Sequence, residues 1–498
     1  MIQPVKGTHD LFEEEANAFT YVINVMNSIS ELFAYKEIRV PVIEHSELFI
    51  RSVGESSDVV RKEMYTFEDK GGRSLTLRPE FTAGILRSIV SNKLYATSEL
   101  PIKLHYCGPI FRYDRPQLGR YRQFYQFGVE SVGVNNILND VECIVLAYSI
   151  LNSLGLENVV LKINTLGDEE SRNSYKEALK EFFKDKIENM CEDCKKRYEI
   201  NPLRILDCKV PEDQELAKQA PKICDYLSEN SKKRFDEVIE TLKDFNIPCE
   251  VDDSLVRGLD YYSETVFEFH YTSKKNVNYG AIGGGGHYHK LLKELGGPDL
   301  PGFGFSFGIE RIVSVLKDDD LLDKEEIANK CQIYVMPMDQ KERKFGLDMA
   351  TSLRMWGFKV DICFEDVKFG NMFKRAEKKG ADYAVIIGEN ELNNEKVVVK
   401  NMKTQEQEEV ANSELLQYFV HAFESEDDCC CGHHHDDDEE CCCGHHHDKE
   451  CCCGDNCCNC GHKPGEFPCQ NGEECPCGKD PNECECVING FCSCKEVK

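Results

Sequence analysis

The chain lacks a long apolar run, and its basic residues are far fewer than its acidic ones. No segment approaches the roughly 18 consecutive apolar residues of a bilayer-spanning helix, which excludes a transmembrane protein. The first 20 residues carry four acidic side chains and no apolar stretch, which excludes a secretory signal peptide and predicts a cytoplasmic protein. Lys and Arg number 60 against 89 Asp and Glu, a net charge of −29. A broadly basic nucleic-acid-binding surface is therefore excluded, although a local basic site is not.

Cysteine is scarce through most of the chain and concentrated at its end. Only 9 of the 28 cysteines lie in the first 428 residues, and the other 19 lie between Cys429 and Cys494. Residues 426–498 also carry a net charge of −13, which leaves −16 for the preceding residues. A length of 498 residues predicts two to four domains, so we interpret the chain as an acidic globular body with a Cys/His/acid-rich tail.

Hydrophobic periodicity predicts two folded parts in the body. Apolar spacing predicts an amphipathic helix over residues 14–35, and Asn139-Asp140 is the predicted cap of a second helix. Strands are expected at Val159–Asn164 and Val266–Tyr271, separated by a helical, charged insertion at about 169–245. From Cys331, strands alternate with helices, which predicts a mostly parallel sheet of about 95 residues. A charged segment over 317–330 is the expected linker between the two parts.

Four polar, arginine-containing segments occur where apolar strands would be expected, at 75–84, 111–130, 257–262 and 301–311. Arginine binds phosphate with two parallel hydrogen bonds, and aromatic rings stack on purines. Gln126 and Glu130 are an even number of residues apart, so on a strand they share one face and could bind a small polar ligand. A buried carboxylate is costly unless it is paired, which favours a function for Glu130. Each segment alone is more often a solvated face.

Taken together and in this order, the segments strongly resemble a class II aminoacyl-tRNA synthetase, and specifically the histidyl-tRNA synthetases. The resemblance covers about residues 1–425, and RGLDYY at 257–262 matches that family's histidine-specific motif. The matching stretches are PVKGTHD, EHSELFIRSVGESSDVVRKEMYTFEDKGGRSLTLRPE, FRYDRPQLGRYRQFYQFGVE, NPLRILDCK and RGLDYYSETVFEF. The resemblance implies a histidine–tRNA ligase that forms histidyl-adenylate from histidine and ATP with Mg²⁺, then transfers the histidyl group to tRNA(His).

The resemblance also implies a fold and a domain order. It implies an α+β catalytic domain at residues 1–325, with an antiparallel sheet, flanking helices and the insertion at about 169–245. An α/β anticodon-binding domain at 331–425 follows, and then the tail, at 426–498, which has too few apolar residues for a core. In the second domain, basic side chains would supply phosphate contacts, although each could equally belong to a solvated helix face: Lys368, Lys374, Arg375, Lys378 and Lys379. Family enzymes are homodimers, with Pro41 in the interface segment.

The resemblance assigns site residues by position. Arg112 would bridge the α-phosphate, Arg311 would hold the far end of ATP, and Phe124 would stack on adenine. Arg120 would contact the phosphates, and Arg122 or Gln117 the acceptor end of tRNA. Arg257, the expected catalytic residue together with Arg112, would lie between the histidine carboxylate and the α-phosphate. The remaining expected histidine contacts are Glu80, Thr82 and Gln126 for the α-ammonium group, and Glu130, Tyr262 and the neighbouring Tyr261 for the imidazole.

The sequence departs from the family pattern at two places that we expect to border the histidine pocket. His287 and His289 stand where arginine and aspartate are usual, and Phe81 stands where glycine is usual. These changes leave a second hypothesis, a synthetase-derived protein that binds histidine or metal, or regulates, without catalysing the reaction. The intact RGLDYY motif and the C-terminal α/β segment favour the enzyme.

The insertion contains a second possible site, because Cys191 and Cys194 form a C-x₂-C pair and Cys208 and Cys224 follow. That spacing begins like a zinc site, but the second half is not a matched pair. We therefore weigh a metal at Cys191, Cys194 and Cys208 against a group of buried cytosolic thiols.

The tail repeats close cysteine pairs and histidine triplets, with few apolar residues to bury. This composition predicts binding of a soft or borderline metal, Zn²⁺, Cu⁺ or Ni²⁺, which would do the folding that a core cannot. A disulfide-linked tail would require export, and a disordered tail with incidental affinity is the third alternative. The predicted ligands are Cys429, Cys430, Cys431, His433, Cys441, Cys442, Cys443, His445, Cys451, Cys452, Cys453, Cys457, Cys458, Cys460, Cys475, Cys477, Cys484, Cys486, Cys492 and Cys494.

Overall fold

The computed structural model describes residues 1–54, 57–97, 99–114, 121–323, 327–328 and 330–424. The chain divides near residue 330 into two units, Met1–Asn329 and the part from Lys330 onward. The predicted ATP contact Arg120 and the predicted tRNA contact Gln117 lie outside the described residues. All predicted tail ligands, from Cys429 to Cys494, also lie outside them.

The first unit contains eleven strands and eleven α-helices among its described residues. Its strands are β1 Lys36–Glu37, β2 Ile43–His45, β3 Tyr65–Glu68, β4 Ser74–Leu77, β5 Ile102–Phe111, β6 Gln123–Val132, β7 Val159–Thr165, β8 Cys249–Val251, β9 Tyr262–Thr272, β10 Asn278–Tyr288 and β11 Gly302–Gly308. Its helices are α1 Glu14–Leu32, α2 Ser46–Val53, α3 Thr82–Ser91, α4 Leu94–Thr97, α5 Ile137–Ser153, α6 Glu169–Phe183, α7 Glu192–Ile200, α8 Pro211–Ala217, α9 Glu229–Asp244, α10 Leu291–Glu294 and α11 Ile309–Asp318.

Eight of these strands form one mixed sheet in the order β1-β5-β6-β11-β10-β9-β7-β8. The six inner strands pair antiparallel, whereas β1 pairs with β5 and β8 with β7 in parallel. The expectation of an antiparallel sheet is therefore correct for the centre and wrong for both edges. Each edge strand is only two or three residues long, too short to be recognised from its sequence.

The two faces of this sheet differ because side chains alternate along each strand. On β6 and β11, the odd-numbered residues Phe127, Val129, Phe303, Phe305 and Phe307 are buried in a core shared with α1, α5 and α11. The even-numbered residues face the other way. That second face is covered near its edge by α3, through Ile85, Leu86 and Ile89, and it carries the candidate site.

Helix boundaries agree closely with the predicted pattern, with one shift. The expected helix over 14–35 is α1. Helix α5 is capped by the Asn136 side chain, which accepts a hydrogen bond from the Leu138 backbone N–H, so the cap lies three residues before the predicted one at Asn139-Asp140. Asn139 and Asp140 are instead buried in the first turn, where Asp140 pairs with Arg234 at 2.6 Å.

The insertion is helical as predicted and has a small core of its own. Helices α6, α7 and α8 and their connecting 3₁₀ turns enclose Tyr175, Leu179, Phe183, Leu203 and Ile205. Helix α9 differs, because its Val238 and Leu242 are buried in the main core of the unit. The insertion is thus a local subdomain at α6–α8 joined to the sheet by α9.

The second unit is a five-stranded mixed sheet with helices, ordered β13-β12-β14-β15-β16. Its strands are β12 Ile333–Pro337, β13 Val360–Ile362, β14 Tyr383–Ile387, β15 Lys396–Asn401 and β16 Gln407–Ala411. Its helices are α12 Gln340–Met355, α13 Phe369–Lys378, α14 Glu389–Asn393 and α15 Leu415–Glu424. The predicted parallel strands are present, but β15 and β16 add an antiparallel hairpin that was not predicted, so the sheet is not mostly parallel. Across the described residues, no helix is both long and apolar enough to cross a membrane.

Candidate active site

Glu130 occupies the centre of a buried polar pocket on the second face of the large sheet. Its side chain is 2% exposed. One carboxylate oxygen accepts a hydrogen bond from the Thr82 hydroxyl at 2.7 Å, and the other accepts one from the Tyr288 hydroxyl at 2.7 Å. Burial raises the pKa of Glu130 to about 8, against its hydrogen bonds to Thr82 and Tyr288. Near neutral pH the carboxyl is therefore largely protonated and can donate as well as accept a hydrogen bond.

Glycines on the neighbouring strands make room for these side chains. Gly304 lies opposite Glu130 on β11, and a Cβ there would stand 2.2 Å from a Glu130 carboxylate oxygen. Gly128 lies two residues before Glu130 on β6 itself, and a Cβ there would stand 2.4 Å from the Tyr106 hydroxyl. The glycine-rich strands thus leave the space that the pocket side chains occupy.

Glu80 and Thr82 enter the pocket where α3 begins, close to the strand end at which they were expected. The Glu80 carboxylate accepts hydrogen bonds from the backbone N–H groups of Thr82 at 2.7 Å and Ala83 at 2.9 Å. Its pKa is raised by burial, although these backbone hydrogen bonds oppose the shift. A carboxylate at a helix N-terminus satisfies otherwise unpaired N–H groups, which holds Glu80 in a single orientation.

Tyr261 and Tyr262 are brought to the same pocket at the start of β9. Their ring centroids are 4.6 Å apart, and the Tyr261 ring lies edge-on to Tyr288 at 5.8 Å. Burial raises the pKa of both hydroxyls, so they are neutral hydrogen-bonding groups at physiological pH. Gln126 lies on β6 in register with Gly308 of β11, on the face that also carries Glu130.

Arg257 lies beside Tyr262 on the same side of the sheet. Its guanidinium donates to Glu268 at 2.5 Å and stands 5.6 Å from the Tyr262 ring centroid. Glu268 also pairs with His270 at 3.0 Å, so the arginine is held from one side. A Cβ at Gly284 would be 3.1 Å from the guanidinium, which shows how closely Arg257 lies over β10.

Three further arginines, two predicted to contact ATP and one predicted to contact tRNA, are held by backbone carbonyls. Arg112 donates to the Pro79 carbonyl at 2.9 Å, with its guanidinium carbon 5.9 Å from the Phe124 ring centroid. Arg311 lies in the first turn of α11, which follows β11 directly, and donates to the Ala281 carbonyl. Arg122 donates to the Asp114 carbonyl at 3.3 Å and stacks over Tyr113 at 3.8 Å.

His287 and His289 do not border the pocket, which corrects our expectation. Tyr288 points to Glu130, and the alternation along β10 turns its neighbour His287 to the opposite face. There the buried His287 ring lies 3.3 Å from Asp140 of α5. His289 lies half-exposed, 3.8 Å from Asp299. The histidine substitutions therefore alter the helix-covered side of the sheet, away from Glu130.

Phe81 is close to the pocket but is a core residue. Its ring stacks on Tyr106 at 4.4 Å, and the Arg78 guanidinium covers it at 4.0 Å. Since Tyr106 reaches toward Gly128, Phe81 influences the pocket through Tyr106. Tyr106 and Tyr288 were not predicted from the sequence; the even spacing of Tyr288 from Gly284 and Gly286 was the signal that could have identified the latter.

Comparison with known proteins agrees with this geometry over both units. Residues 7–312 match the family model described as histidyl-tRNA synthetase, and residues 332–421 match the anticodon binding domain. The chain is 45% identical to the histidine–tRNA ligase of Bacillus licheniformis over 413 residues, which is 83% of this chain and 97% of that protein. It is 45% identical to the Bacillus subtilis histidine–tRNA ligase over 421 residues, 84% of this chain and 98% of that protein. The crystal structure of apo histidyl-tRNA synthetase from S. aureus superposes with a TM-score of 0.71 at 37% identity, covering 84% of this chain and 100% of that one.

Proposed function

This chain belongs to the histidyl-tRNA synthetase family, and on that premise we propose how its residues carry out the work of a histidine–tRNA ligase. In the first step, a carboxylate oxygen of histidine attacks the α-phosphorus of ATP, the bond to the β-phosphate breaks, and pyrophosphate leaves. Two anions must meet, so the protein contributes positioning and positive charge and needs no covalent intermediate. The observation that carries the proposal is the buried Glu130 carboxyl, hydrogen-bonded to Thr82 and Tyr288, in a chain of this family.

The imidazole of histidine binds at Glu130 and Tyr262, one group for each ring nitrogen. A carboxyl with a pKa of about 8 can hydrogen-bond a neutral imidazole at pH 7 without taking up or releasing a proton. Tyr261 packs beside Tyr262, and Tyr288 and Thr82 hold the Glu130 carboxyl in place. A pocket of polar partners rejects an analogue that lacks the ring nitrogens, because those partners would then be left buried and unpaired.

The α-ammonium group of histidine binds at Glu80, Thr82 and Gln126. Each Glu80 oxygen already accepts one backbone hydrogen bond, and a carboxylate oxygen has a second acceptor position for an ammonium group. Binding of a cation there favours the ionised form of Glu80, whose pKa burial otherwise raises.

Among the described residues, three arginines serve the phosphate side of the reaction. Arg112 bridges the α-phosphate while Phe124 stacks on adenine, and Arg311 holds the far end of ATP. Arg257 bridges the histidine carboxylate and the α-phosphate, where negative charge grows in the transition state. The assignment is completed by Arg120 at the phosphates and by Gln117 and Arg122 at the tRNA. Arg120 and Gln117 lie outside the described residues.

Mg²⁺ is the cofactor that the family implies, and it enters on the phosphates of ATP. Glu310, next to Arg311, would be a suitable protein ligand, since its carboxylate is buried, accepts a hydrogen bond from the Tyr125 backbone N–H and lies beside the arginine expected at ATP. Burial raises the Glu310 pKa to about 7, and a bound cation would favour its ionised form. When bound, Mg²⁺ neutralises phosphate charge.

We further propose the domain assignment 1–325, 331–425 and 426–498, with tRNA(His) contacted by the second domain, in a cytoplasmic homodimer. The apolar side chains Ile43 and Phe67 on the small sheet β2-β4-β3 support dimerisation, since they are 47% and 41% exposed and follow Pro41 in the chain. Sedimentation at micromolar protein tests the dimer, and a monomer would refute it.

For the tail, composition supports binding of Zn²⁺, Cu⁺ or Ni²⁺ by its thiolates and imidazoles.

The first test is histidine-dependent exchange between ATP and pyrophosphate, followed by charging of tRNA(His). We expect exchange with histidine and none with the other amino acids. Arg257→Ala should still bind histidine but lose about a thousandfold in exchange, because it removes the cation that stabilises the transition state. Isothermal titration calorimetry with histidine measures binding, and pyrophosphate exchange measures adenylate formation.

Arg51→Ala is the matched control, because Arg51 pairs with Glu47 on the surface of α2 and is 61% exposed. It should leave both binding and exchange unchanged. Full exchange activity in Arg257→Ala would contradict the catalytic assignment. A folded wild-type protein with no exchange would support the non-catalytic alternative.

A further inference from the structure

A cluster of four potential metal ligands lies in the insertion, away from the Glu130 pocket. The sulfur atoms of Cys191, Cys194 and Cys208 and a carboxylate oxygen of Asp213 all lie within 4.8 Å of one another. Cys194, Cys208 and Asp213 are 0%, 2% and 4% exposed, so the cluster is closed to solvent on most sides. Cys191 precedes α7, Cys208 follows the 3₁₀ turn Pro202–Asp207, and Asp213 lies in α8. Three elements of the insertion therefore meet at these side chains.

The distances fit a tetrahedral ion. Zinc–sulfur bonds of about 2.3 Å place two sulfur ligands of a tetrahedron about 3.8 Å apart. The Cys191 and Cys208 sulfurs are 3.8 Å apart, and the Cys208 sulfur is 3.3 Å from the Asp213 carboxylate. A disulfide requires about 2.05 Å between sulfurs, so the pair stands at metal-ligand spacing.

The charges also call for a cation. Asp213 is buried, and within the described part of the chain no Lys, Arg or His lies at ion-pair distance from it; its contacts are the Cys191 backbone N–H at 3.1 Å and the Cys208 sulfur. A buried carboxylate without a basic partner is costly. Backbone N–H groups of Cys194 and Val210 point at the sulfurs of Cys191 and Cys208, at 3.4 and 3.5 Å, as suits thiolate acceptors.

We propose that Cys191, Cys194, Cys208 and Asp213 bind one Zn²⁺ ion that fastens the insertion together. Four protein ligands and no open position make it a structural site, with no role in the chemistry. Sequence spacing indicated the three cysteines, and the structure adds Asp213, which supplies the ligand that the unmatched second half of the motif lacked.

The zinc site is connected to the active site through the segment that it encloses. Between Cys194 and Cys208, Arg204 donates to the Asp260 carboxylate at 2.9 Å and to the Gly258 carbonyl at 2.5 Å. Asn201 donates to the same carboxylate at 3.0 Å. Gly258 and Asp260 belong to the loop that carries Arg257, Tyr261 and Tyr262. Removal of zinc should therefore both raise the KM for histidine, through Tyr261 and Tyr262, and lower kcat, through Arg257.

The test is cysteine alkylation resolved by peptide mass spectrometry on the full chain, with and without added Zn²⁺. We expect a fall of about tenfold or more in the alkylation rate of Cys191 when zinc is present, since a coordinated thiolate is a poor nucleophile. Cys224 is the internal control, because it is exposed in the same insertion and outside the cluster. Its rate should not change. Equal alkylation of Cys191 with and without zinc would overturn the proposal. A disulfide between Cys191 and Cys208 as the stable form, seen as a linked peptide pair about two daltons lighter than the two reduced peptides together, would also overturn it.

Two variants separate metal binding from folding. Asp213→Asn keeps all three sulfurs and a side chain of the same size, so the fold should persist while zinc protection of Cys191 weakens by at least about tenfold. Cys224→Ser should protect Cys191 as the wild type does. Wild-type protection in folded Asp213→Asn would remove Asp213 from the ligand set and refute the four-ligand site.

Discussion

At the scale of single residues, Glu130 is the group whose environment most determines its chemistry. It is surrounded by side chains that donate to it, and among the described residues no basic side chain pairs with it. The protein therefore holds a carboxyl group in its neutral form, which suits a substrate whose own ring titrates near pH 6.5. That state has a measurable consequence for stability.

We expect the unliganded protein to lose stability through Glu130 as the pH rises. The folded-state pKa of about 8 lies above the unfolded value of about 4.5, so the folded state retains the proton more strongly. The contribution is complete below about pH 4.5 and is lost as the pH rises to about 8. Glu130→Gln removes this titration. Between pH 5 and pH 9, the free energy of unfolding of the variant, measured in urea, should therefore rise relative to that of the wild type by on the order of 3 kcal/mol.

Glu47→Gln is the control, because it makes the same chemical change at a carboxylate that is 69% exposed on the surface of α2. Glu310 titrates in both proteins, so its contribution cancels in the comparison, whereas Glu80 interacts with Glu130 and its own titration adds to the measured difference. A constant difference between Glu130→Gln and the wild type would mean that Glu130 is ionised throughout this range.

The sequence motifs identified the residues that form the centre of the pocket, but they did not show which neighbouring strand residues point into it. Glu80, Thr82, Glu130, Tyr261 and Tyr262 do converge, because each lies at the end or on one face of a recognisable element. The sequence could not show which residues of β10 face the pocket, since that depends on its pairing with β11, in which His287 lies opposite the core residue Phe303. Asp213 was not predicted, because it is one acidic residue among many and only the packing of α8 brings it to the cysteines.

At the scale of elements, α13 is the helix of the second unit that suits an RNA partner best. Lys374 and Lys378 are one turn apart and exposed, and no ion pair is found for them among the described residues. The other predicted contacts are less available, because Arg375 pairs with Glu365 and Lys379 with Asp361, each at 2.6 Å. Lys368 is exposed at the N-cap of the helix.

Reversal of both charges, Lys374→Glu with Lys378→Glu, should weaken binding of tRNA(His) and reduce its salt dependence. Removing one lysine–phosphate interaction lowers the slope of log K against log salt by about 0.7 to 0.9. Fluorescence anisotropy over a salt series measures both effects. Histidine-dependent pyrophosphate exchange, which needs no tRNA, should stay unchanged.

Lys341→Glu with Lys344→Glu provides a control of equal charge on α12 of the same unit, where both side chains are exposed. If this pair weakens tRNA binding as much as the α13 pair, the effect is one of net charge and the α13 assignment is wrong.

Element prediction succeeded where the pattern was long and failed where it was short. Helices α1, α5 and α12 have several turns with apolar residues at helical spacing, so their existence was clear and only their ends moved. The hairpin of β15 and β16 was missed because β16 reads as a charged segment, with Glu408 and Glu409 exposed and only Val410 buried. Its pairing with β15 depends on a turn whose geometry the sequence alone did not reveal.

At the scale of the whole molecule, the chain consists of a family body and an extension. About 84% of this chain covers 97–100% of the relatives and of the S. aureus structure, and the anticodon binding domain ends at residue 421. The extension therefore lies outside what these relatives share. It carries −13 of the net charge of −29 and 19 of the 28 cysteines. Because tRNA is itself a polyanion, an extension of that charge is poorly suited to hold it.

Deletion of residues 426–498 should remove most of the bound metal and leave charging of tRNA(His) within about threefold of the full chain, because the described residues already contain both cores. Elemental analysis after zinc loading should show the shortened protein retaining about one Zn²⁺, held by three thiolates and a carboxylate in the insertion.

Replacement of the tail by a segment of equal length and charge without Cys or His separates metal binding from electrostatics. That replacement should match the deletion in metal content and the full chain in its response to salt. Loss of charging on deletion would show instead that the tail is part of the synthetase, since a separate metal-binding extension cannot be needed for a reaction that the body performs alone.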